Sequence, residues 1–438
     1  MTLDATAAAQ PLRVGLCGLG TVGTGLVELL RTNAAEIARQ AGRDVQLTRV
    51  ASRTPKPDVD LGAASFATDL ESVVGAADVD VVVELIGGAD VALEVTRRTL
   101  EAGRPIVTGN KALLALHGPE LFRLAAEHDA TIGFEAAVAG GVPIIGALQS
   151  GLLGNRIEWV SGIINGTCNY ILTAMTQDGA DFADVLAQAQ ALGYAEADPS
   201  FDVGGIDAAH KIAILASLAF GSPVDFDAVF VEGIESIGGE DIEYARRLGY
   251  AIKHVGIARR RDDGIEVRAH PALIPETALL AGVNGVSNAI VVKDNAVGVS
   301  TYAGAGAGAW PTAASVVADL VRVARGEACG VELGGAASVL SIEASASPYY
   351  LRAPVRDEPG VLAQLARLLG DEGISIESVI QREQAVQGQS GEDAWVPLVL
   401  LTQRVEESAL RRALARIESQ PVVVGPIVSL RVEPLESA

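Results

Sequence analysis

Short apolar runs separated by amphipathic stretches dominate the first third of the chain. The first run, Leu12–Cys17, is followed by a predicted amphipathic helix over Thr24–Arg39. Three further runs are predicted to be buried strands: Val45–Ser52, Val79–Val83 and Pro105–Val107. Because strands and helices alternate through about residue 135, the pattern predicts an α/β domain with a doubly wound parallel sheet over residues 12–135.

The pattern changes after Phe134, which indicates a second, α+β domain over residues 136–304. Ile206–Phe220 is apolar on nearly every face, which predicts a buried helix. Further strands are predicted in three segments: Ala251–Ile257, Ile265–His270 and Asn288–Val292. A helix at about 312–325, within residues 305–330, is predicted to return to the first domain.

The last part of the chain predicts a ferredoxin-like β-α-β-β-α-β domain over residues 349–434. Its predicted strands are 349–356, Ile374–Gln381, Trp395–Leu401 and Ile427–Val432, and its predicted helices are Asp357–Leu369 and Glu406–Glu418. Pro359 suits the first turn of the earlier helix. Residues 331–348 are predicted to be a linker, 1–11 a disordered tail and 387–393 a disordered excursion between two strands.

Charge and cysteine content exclude several classes of function. The net charge of −22 over 438 residues argues against nucleic acid and anionic membranes as partners. Three scattered cysteines (Cys17, Cys168 and Cys329) form no disulfide framework or zinc motif. Neither a signal peptide nor an apolar run of 18 residues occurs, so we expect a soluble, cytoplasmic protein without a membrane span.

A glycine-rich turn follows the first strand directly. It comprises Gly18, Leu19, Gly20, Thr21, Val22 and Gly23. The first two glycines of such a turn permit close approach of a pyrophosphate to a helix N-terminus, and the third lets helix and strand pack. In this strand–turn–helix context we favour nucleotide binding over a purely structural turn.

The end of the second strand bears on the choice of cofactor. The segment 51–56 has no acidic residue to bind a ribose 2′-hydroxyl, and carries Arg53 and Lys56 instead. Basic side chains at this position suit a 2′-phosphate, so NADP(H) is preferred and NAD(H) stays possible. A solvated basic turn is the alternative.

Two of the five lysines in the chain stand out by context. Lys211 lies in the first turns of the apolar helix with Asp207 four residues before it, and Lys111 follows a predicted strand end, on a loop. Burying a lysine near a helix N-terminus costs several kcal/mol unless it is paired. A catalytic lysine and an exposed i,i+4 ion pair with Asp207 as a cap are both consistent with this spacing.

The order and spacing of six segments resemble the homoserine dehydrogenase family of the longer bacterial type. The segments are Gly18–Gly23, Thr108–Ala112, Glu135–Pro143, Gly162–Tyr170, Leu192–Lys211 and Gly304–Thr312. The resemblance implies reversible, NADP(H)-dependent reduction of L-aspartate 4-semialdehyde to L-homoserine, in threonine, methionine and isoleucine biosynthesis. Another amino-acid semialdehyde reductase and a non-catalytic amino-acid sensor on a nucleotide-binding fold are the alternatives.

The same resemblance implies roles for individual residues. Lys211 would donate a proton to the aldehyde oxygen, Asp207 would orient it, and Lys111 would lie between cofactor and substrate and could share the proton transfer. The implied substrate-binding residues are Glu196, Asp202, Asn165, Gly166, Thr167 and Tyr194. Which lysine dominates stays open at this point.

Two loops carry further implied sites. Gly308 resembles the late glycine beside the nicotinamide, in a loop where Ala305 replaces a common proline. From the residues alone, the alternate glycines of Thr301–Thr312 indicate either backbone packed against a ligand or another chain, or a flexible loop. The carbonyls of Val138, Gly140 and Val142, with Glu135, match a monovalent cation site (Na⁺ or K⁺). A Cys168 thiol nucleophile is a weaker interpretation than packing.

The C-terminal domain resembles an ACT domain. Its segment 357–362 is of the Asp-x-Pro-Gly-x-Leu type, and the implied effector-binding residues are Asp357, Gly360, Val361 and Leu362. The resemblance implies feedback regulation by an amino acid, most plausibly L-threonine, and pairing of copies in a homodimer or homotetramer. A dimerisation module without a ligand is the alternative.

Overall fold

The N-terminal domain is a six-stranded parallel sheet with helices on both sides. The computed structural model describes residues 10–327, 331, 333–335, 337–381 and 395–434. The elements of this domain are β1 (Leu12–Cys17), α1 (Thr21–Thr32), α2 (Ala34–Ala41), β2 (Val45–Ala51), β3 (Ser65–Ala67), α3 (Glu71–Val74), β4 (Val81–Glu84), α4 (Asp90–Glu101), β5 (Ile106–Thr108), α5 (Lys111–Glu127) and β6 (Ile132–Gly133). The strand order β3-β2-β1-β4-β5-β6 reverses direction beside β1, which confirms the predicted doubly wound sheet.

The central domain packs one buried helix against an antiparallel sheet. Its elements are α6 (Ile144–Gly146), β7 (Ile157–Ile163), α7 (Gly166–Asp178), α8 (Phe182–Ala191), α9 (Ser200–Val203), α10 (Ile206–Phe220), β8 (Phe230–Val231), α11 (Gly239–Arg247), β9 (Tyr250–Arg260), β10 (Ile265–Pro275), β11 (Ser287–Asp294), β12 (Gly298–Ala305) and α12 (Ala309–Ala324). Helix α10 has the predicted bounds and contacts β7, β9 and β10. Helix α12 returns to α1, where a Cβ at Gly25 would come within 2.7 Å of the carbonyl oxygen of Ala309.

The C-terminal domain has the predicted β-α-β-β-α-β order. Its elements are β13 (Ala346–Ser347), β14 (Tyr349–Arg356), α13 (Val361–Asp371), β15 (Ile376–Gln381), β16 (Trp395–Thr402), β17 (Val405–Glu406), α14 (Glu407–Glu418) and β18 (Val428–Val432). The main strands are ordered β18-β14-β16-β15, the arrangement of a ferredoxin-like sheet.

The central and C-terminal sheets are continuous. Strand β18 pairs in parallel with β10, with Ala272 opposite Arg431 and Leu273 opposite Val432. Part of the predicted linker 331–348 is also paired, since the amide of Ile265 donates to the carbonyl of Ser338 at 2.9 Å. The C-terminal domain is therefore an extension of the central sheet rather than a separately tethered module.

Three predictions of local structure differ from the structure, and two others fall on residues outside its described part. The predicted helix Thr24–Arg39 is two helices that meet at Asn33. The predicted glycine loop after Thr301 is strand through Ala305, because its alternating residues pair with β11. The helix predicted from Asp357 begins only at Val361, after Gly360 adopts a left-handed φ of 94°. The predicted N-terminal tail (up to residue 9) and the excursion 387–393 lie outside the described residues.

Within the described residues, no helix combines the length and the apolar character that crossing a membrane requires.

Candidate active site

A buried carboxylate between two ammonium groups forms the centre of the candidate site. Asp207 lies in the first turn of α10, and its side chain is only 3% exposed. Its Oδ2 lies 2.8 Å from the Nζ of Lys211, and its Oδ1 forms an ion pair with Lys111. The side chain of Lys211 is 11% exposed and that of Lys111 33%. The structure therefore brings the three predicted catalytic side chains together.

The end of β7 supplies the remaining partners of Lys211 and Asp207. The Nζ of Lys211 donates to the carbonyl oxygen of Ile164 at 2.7 Å. Asn165, the N-cap of α7, donates from Nδ2 to Asp207 Oδ2 and to Asp202 Oδ1, each at 2.8 Å. Because the Oδ1 of Asn165 caps α7, its amide orientation is fixed and both N–H groups face the carboxylates.

Lys111 reaches the centre from the N-terminal domain. It is the first residue of α5, directly after the N-cap Asn110, rather than part of a loop as predicted. Thr108 at the end of β5 donates from Oγ1 to the buried carboxylate of Glu84 at 2.6 Å, and accepts from the amide of Asn110. The Nζ of Lys111 also lies 5.3 Å from the centroid of the Phe201 ring. Lys111 therefore links the end of the parallel sheet to the central domain.

Burial and charge act in opposite directions on these groups. Burial alone would raise the pKa of Asp207, but Lys211 and Lys111 hold that pKa well below its ordinary value. Burial lowers the pKa of Lys211; Asp207 opposes this effect and Lys111 adds to it. Burial, followed by the charge of Asp207, raises the pKa of Asp202. The site therefore holds an ionised carboxylate beside an ammonium group that gives up its proton more readily than an ordinary lysine.

The other predicted substrate-binding residues lie around this centre in different environments. The Oγ1 of Thr167 donates to the carbonyl oxygen of Tyr194 at 2.7 Å, and the ring of Tyr194 lies 5.0 Å from that of Tyr170. Gly166 packs closely against the backbone of Val286. Glu196 is exposed, and its carboxylate forms no ion pair with the central lysines within the described part of the chain.

The glycine-rich turn is crowded at two positions and open at the third. Gly18 has φ 106°, and a Cβ there would lie 2.4 Å from the carbonyl oxygen of Leu85. A Cβ at Gly23 would lie 2.2 Å from the carbonyl oxygen of Gly18. A Cβ at Gly20, the N-cap of α1, would meet no described atom within 4 Å. Two glycines of the turn thus pack against backbone carbonyls, and the N-terminus of α1 stays free for a phosphate group.

Basic residues flank this turn. Arg53 is exposed at the end of β2, and the Nζ of Lys56 lies 3.4 Å from the Oγ1 of Thr24 in the first turns of α1.

The loop before α12 lies against the lysine centre. Gly308, the N-cap of α12, has φ 124°. A Cβ at Gly306 would collide with the side chain of Asn288, whose Nδ2 donates at 3.2 Å to the same Ile164 carbonyl that binds Lys211. The loop that contains the predicted nicotinamide-side glycine is therefore connected to Lys211 through Asn288 and the Ile164 carbonyl.

The predicted cation-binding loop has an unusual backbone. Ala139 has φ 56°, which is uncommon for a residue other than glycine, and Gly140 has φ 54°. The carbonyl of Gly140 accepts from the Oγ of Ser315 at 2.6 Å. The carboxylate of Glu135 accepts from the amides of Ile145 and Gly146, and burial raises its pKa.

The predicted effector residues share one concave surface of the C-terminal domain. Asp357, Gly360, Val361 and Leu362 line it together with Gln381 and Leu398.

Cys168 is buried, its thiol is 3.1 Å from the carbonyl oxygen of Asp202, and burial raises its pKa. These features agree with packing and disfavour a thiolate nucleophile.

Sequence reasoning missed three contributors to the site. The Ile164 carbonyl is a backbone group, so no side-chain pattern could indicate it. Phe201 and Asn288 reach Lys111 and Ile164 across long sequence separations, which local periodicity does not encode. Of the three, only Phe201 could have been noticed in the sequence, as an aromatic residue within an acidic segment.

Comparison with known families accounts for most of the chain. A family model described as homoserine dehydrogenase matches residues 143–321, and one described as the NAD-binding domain of homoserine dehydrogenase matches residues 18–135. A model described as ACT domain matches residues 349–417.

Individual relatives match over nearly the full length. A homoserine dehydrogenase of Pseudomonas aeruginosa is 51% identical over 97% of this chain and 100% of its own length. A crystal structure of a homoserine dehydrogenase from Thiobacillus denitrificans has a TM-score of 0.91 and 46% identity, and covers 97% of this chain and 99% of that chain. A hyperthermophilic archaeal homoserine dehydrogenase in complex with NADPH has a TM-score of 0.60 and 27% identity, and covers 72% of this chain and 97% of that chain.

Proposed function

Since this chain belongs to the homoserine dehydrogenase family of NAD(P)-dependent oxidoreductases, we propose that it reversibly reduces L-aspartate 4-semialdehyde to L-homoserine with NADPH. The product is a precursor of threonine, methionine and isoleucine, so the enzyme serves their biosynthesis.

The hydrogen bonding of Lys211 carries the proposal. An ammonium group has three N–H donors, and Lys211 directs one to Asp207 and one to the Ile164 carbonyl. Within the described residues, its third N–H has no protein acceptor. This third N–H is directed to the aldehyde oxygen, which becomes an alkoxide as hydride arrives. Lys211 donates its proton to that oxygen. In the reverse direction the neutral amine accepts the proton of the homoserine hydroxyl.

Asp207 and Lys111 hold Lys211 in this role. Asp207 fixes the Nζ of Lys211 in place and opposes the effect of burial on its pKa. Lys111 occupies the other oxygen of the same carboxylate at the domain junction, where it faces both cofactor and substrate. Lys211 is the principal donor, because it is the more buried and the more fully oriented of the two.

The substrate's ammonium group binds to the acidic loop before α10. Asp202 in the short helix α9 is already oriented by Asn165, and the exposed Glu196 lies six residues before it in the same acidic segment. The turn formed by Gly166 and Thr167, with Tyr194, lines the rest of the substrate site.

NADP(H) is the preferred cofactor and supplies or accepts the hydride when it is bound. The residues present fit it: the α1 N-terminus is open at Gly20, and Arg53 with Lys56 provides positive charge for a 2′-phosphate. Leu19, Thr21 and Val22 would complete the turn that holds the pyrophosphate, and Gly308 would lie beside the nicotinamide.

The carbonyls of Val138, Gly140 and Val142 would hold a monovalent cation. The left-handed backbone at Ala139 and Gly140 supports this assignment, and the Gly140 carbonyl keeps a lone pair beyond its bond to Ser315. Glu135 contributes nearby negative charge. The cation would order the loop that packs against Gly306.

The ACT domain binds an amino-acid effector, most plausibly L-threonine, at the surface formed by Asp357, Gly360, Val361 and Leu362. Pairing of two such domains supports a homodimer or homotetramer.

Homoserine-dependent reduction of NADP⁺ at alkaline pH by the purified full-length protein tests the proposed reaction. Steady production of NADPH is expected, and its absence would overturn the proposal.

A further inference from the structure

A basic pocket lies where the central sheet meets the C-terminal domain, and residues of these two domains line it. It has a volume of about 380 Å³. Its lining includes five cationic side chains (Arg156, Arg259, Arg261, Lys293 and Arg404), two acidic ones (Glu158 and Asp262) and Trp159. Arg260 also lines the pocket, but its guanidinium group donates to the carbonyls of Ile157 and Phe220. The chain as a whole carries a net charge of −22, so this concentration of positive charge is local and unusual.

Strand register places three of the lining residues side by side. Trp159 of β7 is opposite both Lys293 of β11 and Arg259 of β9. Residues opposite one another on neighbouring strands project from the same face of a sheet, so the aromatic ring lies between two cations. Arg404, which precedes β17, brings a cation from the C-terminal domain.

The carboxylates beneath the pocket neutralise only part of its positive charge. Arg259 and Arg268 both pair with one carboxylate, Glu433, at 2.9 Å and 2.6 Å, and all three side chains are largely buried. Burial lowers the pKa of Arg259; Glu433 opposes this effect, and Arg268 adds to it. Arg261 pairs with the buried Glu266 at 3.0 Å, so two buried carboxylates, Glu433 and Glu266, face three guanidinium groups beneath the pocket.

Within the described residues, two arginines at the rim of the pocket have no carboxylate as an ion-pair partner. Within the described part of the chain, no acidic side chain forms an ion pair with Arg156 or Arg404, and both are exposed. Lys293 has only a long contact of 3.7 Å to Glu158. Like charges held together raise the free energy of the folded state unless a counter-ion binds.

We infer that this pocket binds a small molecule with a polyphosphate group, and that the bound anion bridges the central and C-terminal domains. Guanidinium groups match phosphate oxygens in geometry and charge, and a pocket between two domains with several of them suits two or three phosphates. Trp159 offers a stacking surface if the ligand is a nucleotide. The site is separate from the glycine-rich turn, so it does not depend on the proposed reaction.

Isothermal titration of the full-length protein with inorganic tripolyphosphate and with ATP, each in saturating NADPH, tests the inference. NADPH occupies the cofactor site, so any remaining binding reports another one. We expect binding of both probes that weakens with added salt. Tighter binding of ATP would identify a nucleotide as the ligand, and equal binding a polyphosphate group alone; both outcomes support the site.

The double variant Arg156→Gln, Arg404→Gln removes the unpaired rim charges, and Arg246→Gln, Arg367→Gln is a control with the same loss of charge at exposed helical positions. We expect binding to weaken about tenfold or more in the first variant and to stay unchanged in the second. No binding to the wild type, or equal loss in both variants, would overturn the inference. So would unchanged anion binding together with an altered sedimentation coefficient, which would assign the pocket to an interface between copies.

Discussion

The Nζ of Lys211 lies 2.8 Å from the Oδ2 of Asp207, one helical turn earlier in α10. Asp207 is ionised, since the pKa of its carboxyl is held well below its ordinary value, and its charge keeps the buried Lys211 from losing its proton still more readily. In the proposed mechanism, the pair therefore sets the pH range in which Lys211 can donate a proton.

Replacement of Asp207 by Asn should shift the pH dependence of the reaction. Reduction of the aldehyde needs the ammonium form of Lys211, so kcat should fall as pH rises through the pKa of Lys211, which burial lowers from its ordinary value. Without the Asp207 charge that pKa falls further, by about one unit or more. The profile of kcat for reduction should move to lower pH by that amount. Asp198→Asn, in the same loop but exposed, is the control; equal profiles for Asp207→Asn and the wild type would contradict the assigned pairing.

The two glycines Gly20 and Gly23 should respond differently to substitution by Ala. Gly23→Ala places a Cβ 2.2 Å from the Gly18 carbonyl, so the melting temperature should fall. Gly20→Ala meets no described atom within 4 Å, so the fold should keep its stability while KM for NADPH rises, because the Cβ enters the proposed pyrophosphate site. Melting curves and steady-state kinetics separate the two effects. An unchanged KM in Gly20→Ala would place the cofactor elsewhere.

Arg53 should determine the preference for NADP⁺ over NAD⁺. Arg53→Ala removes a charge-assisted contact to the 2′-phosphate, worth about 1.5–3 kcal/mol, so kcat/KM for NADP⁺ should fall roughly tenfold to a hundredfold. The value for NAD⁺, which has no 2′-phosphate, should hardly change. Arg39→Ala, exposed on α2 of the same domain, controls for the loss of charge. Equal loss with both cofactors would remove Arg53 from the proposed contact.

A partly buried ion pair between the C-terminal and central domains should transmit the proposed regulation. Arg431 of β18 binds Glu232 at 2.9 Å, and the carbonyl of Glu232 contacts His254 and lies close to Gly205, the N-cap of α10. Glu232→Gln should therefore weaken the proposed inhibition by L-threonine severalfold, with kcat in the absence of threonine little changed. Glu240→Gln is the matched control: it also removes one carboxylate at the junction of these two domains, and its partner Arg352 keeps Asp241 as Arg431 keeps Glu407.

Titration of threonine binding by calorimetry separates the possible failures of this test. If the wild type does not bind threonine, the effector assignment is wrong. If Glu232→Gln binds threonine and is inhibited like the wild type, the ion pair does not transmit the signal.

The sequence predicted the parts of the molecule that depend on local patterns. The bounds of β1, α10 and β14 follow from apolar runs that end at glycine or at a change of period. The part of the central cluster that lies on α10 was predicted. Asp207 and Lys211 share one face of this helix, because residues four apart are neighbours on a helix.

What the sequence could not predict depends on contacts between distant segments. Pairing of β10 with β18 joins residues more than 150 positions apart and leaves no local signal. Strand β12 was not predicted, because its alternating glycines lower its strand propensity. Its pairing with β11 overrides this low propensity. The basic pocket is assembled from strands and loops of two domains, so its charges are dispersed in the sequence.

The most direct measurement is kcat for reduction of L-aspartate 4-semialdehyde by Lys211→Met, compared with Lys111→Met, with NADPH binding followed by fluorescence. General acid catalysis contributes about 10²–10⁴-fold, so Lys211→Met should lose that much kcat, lose more than Lys111→Met, and still bind NADPH. A kcat for Lys211→Met close to that of the wild type, or a larger loss in Lys111→Met, would contradict the assignment of Lys211 as the principal proton donor.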